Sequence, residues 1–376
     1  MAYINYLDEV KLSNKVYKKF PVILNNEHIL NRLVLKYFLS HRVVWSESTR
    51  RTYSKHLCDF FSQLEVENPE VSFDYIDDDW LEAYADQILE RNSNFPIYVS
   101  QILTTVINFL VWCEDNEYCK NLIGTASTFK IRIISNKDSF THKLIQYYSK
   151  QKSPLKLAPK EEWIEKVLAV EHFKSNSLET RFSVMVDWGK DAGLRAHEIC
   201  ALTIDQIPAR DEIEKSLIAK KNIHIVLNVT KEMKKITIPV SPDLLKKTRD
   251  YMDFERKEII KKFREKSQLT RKAYSPPQEV FLSLKTGQAL HPRTLSNQIR
   301  TGWCQAVKDG ELKEDQHVWT HGLRHRFATT ILKGVSEKTN IRDPQQVTKM
   351  LTRHKHASTV DTYTARLYLD LEDIDE

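Results

Sequence analysis

From Glu27 onward, apolar residues recur at three- and four-residue intervals, the spacing of one helix face. Ile29, Leu33, Tyr37 and Phe38 form the first stripe. Ser48 or Thr49 can cap a second helix, on which Tyr53, Leu57, Phe60, Phe61 and Leu64 share a face. Acidic residues lead into Trp80, Leu81, Tyr84 and Ile88, and Pro96 precedes a further stripe of Ile102, Val106, Phe109 and Leu110. The pattern predicts a compact bundle of about four helices over 27–118. Residues 1–25 mix Tyr3, Tyr6, Tyr17 and Phe20 with charge and show no clear period. Residues 126–160 are basic and weakly periodic, with Lys130, Arg132, Lys137, Lys143, Lys150, Lys152, Lys156 and Lys160, and with Pro154 and Pro159 near the end. Such a stretch reads as a linker, either a solvated connector or a basic strap across a phosphate backbone.

The second half opens with a helix over 160–170. A buried helix follows through Phe182, Val184, Met185, Val186 and Trp188; Gly193 breaks it, and a new helix starts at Leu194. Ile223–Val229 and Lys235–Val240 are β-branched and alternating, and Thr230–Lys234 joins them, so a β-hairpin is predicted. Residues 246–272 hold 11 Lys/Arg and 5 Asp/Glu, a local excess of +6 that suits a solvated amphipathic helix or, less readily, a DNA-facing one. Helices are expected at 293–308, 322–333 and 344–352 and near Tyr363, with a loop near 334–343. The predicted class is mainly α with a small β-sheet (α+β). Its parts are an N-terminal extension (1–25), a helical domain (26–135), a basic linker (136–158) and a larger domain with a C-terminal tail (159–376).

Composition narrows the function classes. Only 8 of 376 residues are glycine, which argues against repetitive tight-turn β architecture. The net charge of +6 and the pI of about 8.8 permit a polyanionic partner without requiring one. Mean hydropathy is −0.48. The first 30 residues lack a long apolar run, and Ile97–Trp112 is too short and too polar to span a bilayer, so neither a signal peptide nor a membrane anchor is expected. Cys58, Cys113, Cys119, Cys200 and Cys304 are scattered with no CxxC pair, which points to a reducing cytoplasm without structural zinc.

Four short segments collect unusual polar groups: Gly193-Leu194-Arg195-Ala196-His197-Glu198, Thr230–Lys234, Thr320-His321-Gly322-Leu323-Arg324-His325, and Leu351-Thr352-Arg353-His354 with Tyr363 nine residues past the histidine. Two arginines, histidines, a lysine and a tyrosine suit a phosphodiester. Attack on phosphorus builds negative charge on the non-bridging oxygens, and guanidinium forks match that geometry without losing their charge. A tyrosine hydroxyl ordinarily titrates near 10 and needs help to attack. Histidine is the natural proton acceptor, and a lysine can protonate the leaving alkoxide. No carboxylate cluster suggests a metal site, so neither metal nor cofactor is expected. Each residue also has a plainer reading. Arg195 can pair with Glu198 on a helix surface, His321 and His325 stand at a zinc-compatible i,i+4 spacing, and the aromatic stripes of 27–118 are core.

Taken together and in order, these segments resemble the tyrosine recombinase/integrase family, whose catalytic fold is shared with type IB topoisomerases. The resemblance covers roughly 160–368, and 27–118 resembles the family's helical (SAM-like) core-binding domain more loosely. Gly193, Leu194, Arg195 and Glu198 fit the first arginine motif, and Lys231 stands before Ile238-Pro239-Val240 as the hairpin lysine does. His321, Leu323, Arg324 and His325 fit the His-x-Leu-Arg-His box, and His354 and Tyr363 fit the later histidine and the nucleophile. Three departures stand out. Arg353 replaces the usual glycine before His354. The turn at Lys231 lacks glycine, which leaves Lys234 or Lys235 as alternative donors. The interval from Arg324 to His354 is longer than in compact members. Tyr368 is the rival to Tyr363 but breaks the nine-residue spacing.

The resemblance implies that Arg195, Arg324 and His354 hold the scissile phosphate, His321 acts as acid/base, Lys231 protonates the leaving 5′ oxygen and Tyr363 takes the 3′ phosphate, with Glu198 and His325 in support. It implies a site-specific recombinase (integrase or transposase of a mobile element) in a prokaryotic cytoplasm, associated with the nucleoid when bound to DNA. Its partners would be double-stranded DNA, three further copies in a tetramer joined by the C-terminal tail, and, as an optional addition, a directionality factor. The competing readings are a type IB-like topoisomerase, a DNA-binding regulator that has lost catalysis, and a metal-dependent phosphoesterase.

Overall fold

In the computed structural model, the residues described are 1–12, 14–67, 72–92, 95–136, 139–151, 157–170, 176–228, 235–270, 273–337, 343 and 346–349. They fall into two compact units, Met1–Leu155 and Lys156–Glu376. Each has its own core. The class is the expected one, helix-rich with small separate sheets, each of two strands among the described residues.

The first unit is built on four helices: α1 Arg32–Ser40, α2 Glu47–Glu67, α3 Asp78–Arg91 and α4 Pro96–Asp115. Three of the caps follow from the sequence, whereas α2 starts at Glu47 and is capped by Ser46, whose Oγ accepts from the Thr49 N–H (3.1 Å), rather than by Ser48 or Thr49. The Asn31 side chain accepts from the Val34 N–H (3.0 Å), that of Asp77 from the Trp80 N–H (2.8 Å), and Pro96 starts α4 where no N–H is needed. Leu57, Phe60, Phe61 and Leu64 of α2 meet Leu81, Tyr84 and Ile88 of α3 and Ile102, Val106, Phe109 and Leu110 of α4 in one core. By length and composition α4 could cross a membrane, yet it is the central core helix of this unit, with Val99, Leu103, Val106 and Leu110 almost wholly enclosed.

Two segments left outside the bundle by the sequence pattern belong to it. Residues Tyr3–Leu12 (β1) and Lys15–Leu24 (β2) form an antiparallel hairpin, pairing Tyr3 with Leu24 and Leu12 with Lys15. Its inward side chains Phe20 and Ile23 join the bundle core. The buried Arg50 of α2 lies 5.5 Å from the Tyr17 ring and 5.7 Å from the Phe20 ring, while Cys58 and Ser62 donate to the Ala2 carbonyl. The period of two is hidden because Lys19 is left-handed (φ 46°), which turns Tyr17 and Phe20, three residues apart, to the same side. Beyond α4 come two minimal ladders. Ile123–Gly124 (β3) runs parallel to Ile131–Arg132 (β4), and Ile134–Asn136 (β5) pairs antiparallel with Ser139–Thr141 (β6). Within the stretch read as linker, Lys143–Lys150 forms a helix, α5, whose Leu144 and Tyr148 join the same core. His142 caps it: Nδ1 accepts from the Leu144 N–H (3.3 Å), and Nε2 meets the Asp78 carboxylate at 2.7 Å. Lys143 and Lys150 lie on the exposed side of this amphipathic helix.

The second unit packs around α7 (Asn176–Asp191), whose Phe182, Met185 and Trp188 are enclosed. Around it stand α6 (Glu161–Ala169), α8 (Ala196–Cys200), α9 (Arg210–Ala219), α10 (Pro242–Tyr251), α11 (Lys257–Thr270), α12 (Pro292–Lys308) and α13 (Thr320–Ser336). The hairpin is present as β7 (Ile223–Leu227) and β8 (Ile236–Val240), with Ile223 opposite Val240 and Leu227 opposite Ile236. Ile225, Leu227, Ile238 and Val240 point into the core, while Pro239 sits on the outer face. The charged stretch 246–272 is divided by a π-helical turn, Met252–Arg256. There Arg256 donates to the Glu279 and Pro277 carbonyls (3.1 and 2.6 Å), and Arg210 pairs with Asp250 and Asp253 (2.8 and 2.9 Å). Of the 14 residues of α11 only Ile259 is buried, as a solvated amphipathic helix requires. Where a loop was expected from 334, α13 continues to Ser336.

Candidate functional site

The helix α7 ends at Asp191, and the chain turns at Gly193 with φ +64°, a conformation that glycine adopts at little cost. The Leu194 N–H returns to the Trp188 carbonyl at 3.2 Å. A Cβ at Gly193 would stand 2.3 Å from the Phe327 ring of α13, so this glycine also permits a close approach. One turn earlier on α13, the fully buried Arg324 donates from Nη1 to the Gly193 carbonyl. The same two helices touch again where Gly189 faces Leu323, with room for no side chain (2.8 Å to Cδ1).

Two residues past Gly193, Arg195 occupies the N-cap of α8. The helix therefore begins at Ala196 rather than Leu194, because residues 194 and 195 complete the turn. Glu198 reaches back to it. One carboxylate oxygen accepts from the Arg195 backbone N–H (2.9 Å) and the other from Nη1 (3.2 Å). The Glu198 side chain is wholly enclosed while that of Arg195 is 26% exposed, so the acid orients the guanidinium from the protein side and leaves part of it facing solvent. The pairing with Glu198 read as the plain alternative thus exists, as an orienting contact inside a turn.

The start of α13 is fixed from the α12 side. Thr320 Oγ1 donates to Ser296 Oγ (3.1 Å), and Trp303 donates to the Gln316 carbonyl (3.0 Å). Gly322 lies against the Trp319 ring, where a Cβ would come within 2.7 Å. His321, Arg324 and His325 follow at i, i+3 and i+4 and so project along one face. His321 is exposed, its ring edge-on to that of His325 with centroids 4.6 Å apart. Chemically the residue types suit an anion. Guanidiniums drawn from residues far apart in the chain flank one turn, and an exposed imidazole stands one turn from the buried arginine. Cys200, on α8, is no rival nucleophile, since burial pushes its thiol up to about 12.

Of the residues singled out from the sequence, the structure brings together Arg195, Glu198, Arg324 and Gly193, and sets His321 and His325 beside Arg324. Lys231, Lys234, His354, Tyr363 and Tyr368 lie outside the described residues, whereas Lys235, the residue before β8, is exposed. Sequence reasoning missed the packing of Phe327 on Gly193 and a cluster of charges, Glu161, Lys190 and Arg326, behind these segments. None of these carries a local signal, because each is defined by a contact between distant elements.

A profile of the phage integrase family matches residues 161–369, more than half the chain, and the chain belongs to that family. It is a tyrosine-type site-specific recombinase. Solved structures share the fold. XerH site-specific recombinase bound to a palindromic difH substrate superposes with a TM-score of 0.55 at 16% identity, over 94% of this chain and 90% of that one. A lambda integrase (75–356) dimer on a COC′ core site gives 0.54 at 14%, over 89% and 94%. The Tn1549 transposon integrase with circular intermediate DNA gives 0.55 at 13%, over 88% and 94%. No curated protein sequence matches the chain significantly.

Proposed function

We propose that this recombinase cleaves and rejoins duplex DNA through a 3′-phosphotyrosine at Tyr363. In this reading Arg195 and Arg324, with His354, bind the scissile phosphate and neutralise the charge that grows on its oxygens. Glu198 holds Arg195 in its rotamer. His321 moves the proton of the attacking phenol, His325 supports its ring, and Lys231 protonates the departing 5′ oxygen. The bond energy is kept in the phosphotyrosine, so religation to a new partner needs no nucleotide cofactor. The observation that supports the reading best is the bond from Arg324 to the Gly193 carbonyl, two residues from Arg195, which joins segments 131 residues apart.

The chain is proposed to act on DNA inside a prokaryotic cell, as a tetramer on two paired sites. Leu367, Leu369, Leu371 and Ile374 of the tail would supply apolar contacts to a neighbouring copy, and a directionality factor would bias the outcome. One relative by fold, lambda integrase, forms a tetramer on a Holliday junction, which supports this reading. Phosphate contacts would dominate affinity and make it steeply salt-dependent.

Arg195→Gln tests the phosphate-binding role. Its side chain is partly exposed, so the fold should survive. Single-turnover cleavage should fall roughly 10²–10³-fold, the usual effect of losing one such donor. Duplex binding should weaken by far less. Cleavage within about threefold of wild type would remove Arg195 from the site.

A further inference from the structure

Three carboxylates and three cations meet where α6, α7, α10 and α13 converge. Glu161, the first residue of α6, stands between two of the cations. One of its oxygens accepts from Arg326 Nη2 at 2.9 Å, and the other accepts from Lys190 Nζ. Arg326 also donates from Nη1 to the Pro159 carbonyl at 3.3 Å, which ties the chain just before α6 to α13. Lys190 lies 3.6 Å from Asp187, and Asp187 in turn accepts from Lys247 of α10 at 2.7 Å. Asp191 adds a third negative charge to the surroundings of Lys190. The centre of the cluster is shielded: the side chain of Asp187 is 4% exposed and that of Lys190 14%.

The positions of the two cations matter more than the bonds. Lys190 lies in the last turn of α7, three residues before Gly193. Arg326 lies on α13, two residues after Arg324. Glu161 therefore joins, through one carboxylate, the two elements whose contact at Gly193 assembles the arginine pair. A lone exposed ion pair contributes little to stability. A carboxylate shared between two helices, inside a network with a shielded centre, constrains their relative position. A shift of about 1 Å in a phosphate-binding group can cost on the order of 100-fold in rate.

We propose that Glu161 is a positioning residue for the Arg195–Arg324 pair, a clamp that holds the end of α7 and the catalytic face of α13 at fixed spacing through Lys190 and Arg326. The proposal rests on the reading of those arginines as phosphate ligands. Burial pulls the Lys190 ammonium down, yet its bond to Glu161 and the charges of Asp191, Asp187 and Glu161 outweigh that and raise it, so Lys190 stays charged at neutral pH.

The test compares Glu161→Gln with Glu162→Gln in the full chain. Glu162 is the adjacent, exposed acid at the same helix end and controls for net charge and helix-dipole effects. The probe is a nicked suicide duplex carrying a sequence selected by the chain from a random duplex pool. E161Q should slow single-turnover cleavage about tenfold with duplex affinity within about twofold of wild type, and E162Q should leave both unchanged. In a cycle with Arg326→Gln, the double variant should be no slower than the slower single variant, because both remove the same clamp. The inference is overturned if E161Q cleaves at the wild-type rate, if the two acids behave alike, if the cycle is additive, or if the loss tracks a thermal midpoint that falls to the assay temperature. A wild-type chain that binds the duplex and cleaves nothing would instead overturn the reading of the arginines.

Discussion

His56 shows how one buried side chain sets a pH dependence. It lies on α2 inside the first unit, 4% exposed, with Nδ1 2.8 Å from Thr105 Oγ1. Burial pulls its imidazole down to about 4 from the ordinary 6.5, against a partly opposing charge at Asp59. The folded chain therefore keeps His56 neutral where the unfolded chain takes up a proton. Its contribution is complete above pH 6.5 and is lost as the pH falls toward 4, on the order of 3 kcal/mol across the whole window. In thermal unfolding between pH 7 and pH 4.5, His56→Gln should flatten the descent seen in wild type. Parallel curves would show that this imidazole does not titrate as its surroundings require. The sequence gives no local signal for this contact, because the neighbours of His56 are set by the packing of α2 on α4, through a residue 49 positions away.

At the scale of elements, the crossing of α7 and α13 is the feature on which the site depends. The sequence disclosed its ends, with a break at Gly193 and a helix beginning near His321. It could not disclose that Phe327 closes on that glycine. Gly193→Ala puts a side chain into a left-handed conformation, costing about 1–2 kcal/mol, and drives a methyl group into the Phe327 ring. Stability and cleavage should fall together, and Phe327→Leu in the same chain should restore part of both by making room. No recovery in the double variant would mean that the close approach is not what demands glycine. The hairpin β7–β8 was legible because alternation and β-branching coincide there, with the register placing Ile225 and Ile238 opposite each other. The N-terminal hairpin was not legible, because the left-handed Lys19 breaks the alternation. The short helix α9 was missed as well, since Ile213 is its only buried residue and leaves no stripe to see.

For the whole molecule, fold class and family were legible because they depend on the order of motifs, which needs no coordinates. The division into parts was less so, since the eight residues of α5 fall inside the stretch assigned as linker and the hairpin at 3–24 is built into the first unit. Assembly is the next question at this scale. A chain lacking residues 367–376 should bind single sites with unchanged affinity yet form no tetramer on paired sites, as light scattering of the complexes would show. Intact tetramers would place the intersubunit contact elsewhere.

The central claim is that the Tyr363 phenol captures the DNA strand at phosphorus. The direct measurement is to trap the reaction on a nicked suicide duplex in excess EDTA, digest the denatured complex and locate the nucleotide by mass spectrometry. The account predicts a 3′-phosphate ester on the peptide that holds Tyr363, and for Tyr363→Phe a normal band shift with no adduct. An adduct on Tyr368 or any other residue, or cleavage that EDTA abolishes, would contradict it.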